Sequence, residues 1–173
     1  MTEAKAGGIV PRASRPHIPG YGIPRTRKGM LDWEWARERL EVALVYWVAS
    51  IRPEGGPHVM PTWGVWLDER FWFEGGMGTR RARNIAQNPA IVVHVEQGDD
   101  AVIVEGMAEM TRSPDADLAA RLVEGYGKYR TSHGYTADPA NWESGGLWAM
   151  RPTLAFAWSK YPQDATRWHF EPA

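Results

Sequence analysis

Three short extended runs follow one another in this chain, and the residues between them leave room for little except tight hairpins. Residues 45–51 are aromatic and β-branched, Pro53, Glu54, Gly55 and Gly56 form a turn signal, residues 58–67 resume the extended pattern, and Asp68 and Glu69 turn the chain into Phe71, Trp72 and Phe73. Parallel strands need crossovers of about a dozen residues or more, which turns this short cannot supply. A further hairpin joins residues 91–96 to 101–111 through Gln97, Gly98, Asp99 and Asp100, and residues 147–150, 153–158 and 166–170 read as closing strands. Helical signals interrupt this series. Asp32 is placed to cap a helix carrying Trp33, Trp35, Ala36, Leu40 and Ala43, residues 79–88 form a second ended by Pro89, and Ser113 with Pro114 opens a third running to about Arg130. Residues 131–145 read as loop. Six or more strands in hairpin order with helical insertions predict a mainly β protein, an antiparallel barrel; no Rossmann or Walker glycine pattern is present.

Composition narrows the chemistry. At 173 residues the chain is one domain by length, and the absence of cysteine excludes a disulfide scaffold, a zinc-thiolate site, an iron–sulfur cluster and a thiol nucleophile. The longest apolar stretches, such as 42–48, are far shorter than a membrane-spanning helix, and no charged-then-apolar segment opens the chain, so a cytoplasmic protein with no membrane partner is expected. Ten tryptophans exceed what one core requires and point to a pocket or interface lined by large rings.

The near-neutral total hides an asymmetry. Residues 1–30 carry Lys5, Arg12, Arg15, Arg25, Arg27 and Lys28 against Glu3 alone, so this segment is +5 and, with −1 overall, the body is −6. Its four prolines, with Gly7, Gly8, Gly20, Gly22 and Gly29, predict an extended basic arm (1–30) ahead of a barrel domain (31–173). Such an arm is a solvated tail, a nucleic-acid contact, or a strap that orders across the protein or its twin. The acidic body lacks a reading helix, so no nucleic-acid partner is expected.

Two stretches carry the functional signal. Thr79, Arg80, Arg81, Ala82, Arg83 and Asn84 put three cations in the first turn of a helix, beside the positive end of its dipole, with Glu74 the only nearby carboxylate in sequence. Either this is a basic surface paired with distant acids, or the helix N–H groups, the Thr79 hydroxyl and the guanidinium forks converge on a phosphate. The second stretch is Pro57, His58, Val59, Met60, Pro61, Thr62 and Trp63, a strand whose Pro61 cannot donate to a ladder. That marks an empty sheet edge, or one whose main-chain groups near Thr62 and Trp63 meet a planar ring. The five histidines show no metal-ligand spacing, no metal is expected, and Ser132-His133 lacks a nucleophile elbow.

The order of these segments, with residues 102–108 and the ending from Arg151-Pro152 through Trp158 to Arg167, Trp168 and His169, resembles the pyridoxamine 5′-phosphate oxidase-like split β-barrel superfamily over residues 32–171. More narrowly it is similar to the flavin/deazaflavin oxidoreductase B group. The resemblance implies a homodimer with cofactor sites at the subunit interface, taking coenzyme F420 (a 5-deazaflavin), FMN or haem. It implies a ring lying along Val59, Met60, Pro61, Thr62 and Trp63, a phosphate at Arg80, Arg81 and Arg83 beside Thr79 and Asn84, and a closing Trp158 and Arg167. The cofactor strand lacks the arginine and lysine of the vitamin-making oxidases, which favours F420 and a reductase acting on an unsaturated or quinone-like molecule. Alternatives are an FMN-dependent oxidoreductase and a non-catalytic carrier of F420, flavin or haem. F420 has an oligoglutamate tail that the basic arm is placed to hold, and Tyr126 and His133 are candidate proton sources.

Overall fold

The computed structural model describes residues 11–143 and 145–171. Lys5, Glu3, Gly7 and Gly8 of the expected arm lie outside them. Nine strands, all paired antiparallel, and a few helices build the described chain: β1 (Arg12–Ser14), α1 (Trp33–Val42), β2 (Tyr46–Ile51), β3 (Pro57–Thr62), β4 (Gly64–Leu67), β5 (Arg70–Glu74), α2 (Arg80–Gln87), β6 (Ala90–Gln97), β7 (Asp100–Thr111), α3 (Ala116–Tyr126), α4 (Lys128–His133), β8 (Leu147–Trp158) and β9 (Thr166–His169). Strands run in the order β1-β9-β8-β7-β6-β2-β3, and the β4–β5 hairpin joins through β5 to β8.

Strand β2 shows why these sequences become barrel walls. Tyr46, Val48 and Ser50 are buried on one face while Trp47 and Ile51 are exposed on the other, the two-residue alternation of a sheet with one covered side. The barrel interior is filled by Leu40 of α1 with Tyr46, Val48, Phe71, Phe73, Val93, Val104 and Trp168. A second core lies outside the barrel, where Val65, Trp72 and Leu147 meet Leu122, Tyr126, Tyr129 and Trp142. The β4–β5 hairpin is thus covered on both faces, by the barrel and by α3 and α4.

Several boundaries differ from expectation for local reasons. The run 58–67 is two strands: β3 pairs with β2, and β4 with β5. The break falls at Trp63, because the Tyr129 hydroxyl accepts from Gly64 N (3.0 Å) and donates to Gly64 O (2.9 Å), occupying both main-chain groups. A side chain at Gly64 would bring its Cβ within 2.4 Å of the Phe71 ring. Conversely, 147–150 and 153–158 are one strand. Pro152 lies opposite Gly106, at a register shift that leaves Thr153 as an extra residue, so the missing proline N–H falls at a bulge. That bend lets the first half of β8 pair with β5 and the second with β9.

The third helix is capped by Asp115, whose carboxylate accepts from Leu118 N (2.8 Å), rather than by Ser113. Residues 131–145 contain the end of α4 and a 3-10 turn, Pro139–Trp142, instead of loop alone. From Pro11 onward the expected arm lies on the barrel. Arg12–Ser14 pairs with β9, and the Arg15 guanidinium donates to the carbonyls of Thr26, Lys28, Gln163 and Ala165. One planar cation thus satisfies two carbonyls of a segment too rich in proline and glycine to satisfy itself, and ties it to two carbonyls of the segment before β9.

Candidate functional site

Alternation along β3 separates its side chains: Pro57, Val59 and Pro61 on one face, His58, Met60 and Thr62 on the other. The second face meets α2. Thr79 caps that helix, its hydroxyl accepting from Ala82 N at 3.2 Å. Within the first turn, the Arg81 guanidinium donates to the Thr62 hydroxyl at 2.7 Å and to the Glu74 carbonyl at 2.8 Å, and lies 4.7 Å from the centre of the Phe73 ring. Burial pulls Arg81 below the ordinary arginine range, yet an arginine keeps its charge under such a shift. The two stretches singled out in the sequence therefore meet, joined by Arg81 and Thr62.

Two residues that sequence reasoning missed complete this cationic end. Burial, followed by the charges of Arg52, Arg80 and Arg81, holds His58 below the usual histidine value. The alternation 58, 60, 62 was the available signal for His58; nothing local marks Arg52, which sits in the β2–β3 turn.

Other expected residues separate. Arg83 is exposed and folds back to donate to the Gly78 carbonyl at 2.7 Å. Asn84 is fully buried and donates to the Ser50 hydroxyl at 2.9 Å, tying α2 to β2. Trp158 ends β8 opposite Ala101 and meets Tyr161 edge-on, while Arg167 lies opposite Phe156 and donates to the Ser14 hydroxyl at 3.1 Å. Glu74 pairs at the other end of β8, with Leu147. Within the chain Trp158 and Arg167 are thus remote from the Glu74 end of the site, because β8 is one long strand.

Beside Arg81 opens a cleft of about 410 Å³, lined by Val45, Pro61, Thr62, Trp63, Glu74, Tyr126 and Tyr135. Trp63 is braced by rings: Tyr129 stacked at 5.1 Å, His133 at 4.7 Å and Tyr135 at 5.6 Å. The Glu74 carboxylate accepts from Trp142 Nε1 at 2.7 Å and from the Tyr135 hydroxyl. Burial raises all three tyrosines, Tyr129 to about 12, so each stays a neutral hydroxyl. The Tyr126 hydroxyl is enclosed without a hydrogen-bond partner. Lys128 lies beneath this aromatic end, donating to Tyr46 Oη and Glu41 O, and burial lowers it to about 8. Among the described residues no cluster of three or more His, Asp or Glu side chains could hold a metal, and no helix is long and apolar enough to cross a membrane.

The chain belongs to the pyridoxamine 5′-phosphate oxidase family, which matches residues 33–156. Among solved structures it is similar to an F420 reductase, at 26% identity and TM-score 0.56, covering 69% of this chain and 94% of that one. It shares its fold with a FAD-binding protein from Mesorhizobium loti (16% identity, TM-score 0.57, 82% of this chain and 96% of that one) and with a haem-binding protein from Mycobacterium smegmatis (19%, 0.58, 75% and 55%). No curated protein matches the chain.

Proposed function

We propose that this protein is an oxidoreductase that binds coenzyme F420, which when reduced supplies a hydride to an unsaturated or quinone-like small molecule. The observation that carries the reading is the meeting of His58, Arg80 and Arg81 beside Thr62. A phosphodiester placed there replaces like-charge repulsion with charge-assisted hydrogen bonds. The free edge of β3 offers main-chain groups to a planar ring, and Trp63 with the tyrosines behind it walls off water on the cleft side. The likeness to an F420 reductase favours the deazaflavin over FMN.

The same reading includes a homodimer. Pro61, Trp47, His94, Ile103, Phe156 and Arg167 are successive cross-strand partners over six strands. Trp47, Ile51 and Val59 are exposed on that face, an apolar surface suited to a second copy. Two-fold packing of this face brings Arg167 and Trp158 of one protomer towards the β3 edge of its partner, joining the residues that a single chain keeps apart. The basic arm then lies where it can meet the oligoglutamate tail.

Equilibrium titration of the purified protein with F420, FMN and haem tests the proposal. F420 should bind most tightly, and Arg81→Ala should weaken it by about 1.5–3 kcal/mol for each charge-assisted bond lost. Arg83→Ala should have less effect, its guanidinium being exposed and already bonded to Gly78. Preference for FMN would make the protein a flavin enzyme of the same fold. Tight binding without turnover of a quinone such as menadione would make it a carrier. Unchanged affinity in Arg81→Ala would remove the site from α2.

A further inference from the structure

The cleft beside the cationic end holds a charge that the described residues leave unbalanced. Of its lining residues only Glu74 is charged, and both bonds to its carboxylate come from neutral donors, Trp142 Nε1 and the Tyr135 hydroxyl. Among the described residues no lysine, arginine or histidine nitrogen lies within ion-pair distance of it. Arg81 is near in sequence but directs its N–H groups to the Thr62 hydroxyl and to the backbone carbonyl of Glu74, with its charge over Phe73. A carboxylate has about four acceptor positions, so roughly half of this one's remain available.

The walls around it are aromatic. Trp63 is 36% exposed and held in place by Tyr129, His133 and Tyr135, and Tyr126 adds a second ring to the lining. Ring faces attract cations, most strongly where water is displaced. A carboxylate among aromatic rings repels an anion, and it loses hydration without recompense when a neutral apolar group covers it. We infer that the cleft binds an organic cation, an aryl-alkyl ammonium or a protonated heteroaromatic base, with its N–H groups on Glu74 and its ring against Trp63. The inference concerns the cleft alone and stands whichever cofactor occupies the cationic end.

Calorimetric titration of the full chain with three probes of similar shape tests it: 2-phenylethylamine, 2-phenylethanol and 3-phenylpropanoate. The ammonium should bind about tenfold more tightly than the alcohol, and the carboxylate should show no binding. Glu74→Gln should abolish the preference while leaving the alcohol's affinity unchanged, and Trp63→Ala should weaken amine and alcohol alike. Glu74 also anchors Tyr135 and Trp142, so Tyr135→Phe serves as a second variant. It keeps the carboxylate and frees one oxygen, and the preference should persist or grow. Equal affinity for amine and alcohol, a preference for 3-phenylpropanoate, an amine preference surviving Glu74→Gln, or its loss in Tyr135→Phe would each overturn the inference. Failure of F420 to bind would count against the redox reading and leave these affinities as they are.

Discussion

At the β3 end of the site His58, Arg52, Arg80 and Arg81 gather, and among the described residues no carboxylate is bonded to any of them; at the β5 end Glu74 stands among rings with no cation of the described residues in ion-pair distance. Each end departs from internal neutrality, in opposite directions. Arg81 lies between them, its guanidinium bonded to both β3 and β5. A folded chain gains from pairing its own charges, and two neighbouring unpaired groups of opposite sign are costs that a bound ligand is placed to relieve. The cationic end is built from one helix start and from β3 with the turn before it, whereas the acidic end draws on β5, the segment after α4 and the 3-10 turn.

The largest expected effect falls on the acidic end. Tyr129→Phe removes both bonds to Gly64 and leaves a buried N–H and C=O unpaired, so stability should fall by about 2–4 kcal/mol in urea denaturation. Amine affinity should fall with it as Trp63 loses its brace. If F420 affinity fell as far, the two ends would not be separable. Asn84→Ala probes the cationic end from beneath. It breaks the buried bond to Ser50 and should cost about 1–2 kcal/mol of stability, with F420 affinity within about twofold of the parent if Asn84 only anchors α2. A large loss of F420 binding at unchanged stability would return Asn84 to the ligand.

The smallest effect concerns pH. His58 is held below its ordinary value by burial and by three arginines, so it is neutral above that lowered pKa and charged below it. A phosphodiester stabilises the charged form, so F420 affinity should rise a few-fold as pH falls from about 8 to 5. His58→Gln should flatten the profile. A rise of the same size in His58→Gln would assign the titration to another group.

Local signals were legible where neighbours in sequence are neighbours in space. The β6–β7 turn and the cationic start of α2 were both readable, because each is settled within a few residues. The opposite outcome at Trp63 and Pro152 has one cause: whether an extended run breaks there depends on the Tyr129 hydroxyl and on the strand facing Gly106, both remote in sequence. Ser113 read as a cap because cap chemistry is shared by Ser and Asp, and the chain's path chose Asp115.

By itself the sequence determined the antiparallel character, the series of hairpins and the crowd of arginines at the start of α2, since strand alternation, turn residues and helix caps act over short distances. Only the tertiary structure decided that Arg81 would bridge Thr62 and Glu74, that His58 and Arg52 would join it, and that Tyr135 and Trp142 would converge on one carboxylate from 61 and 68 residues away. Such contacts depend on how two cores pack against a shared hairpin, and no periodicity in the chain encodes that.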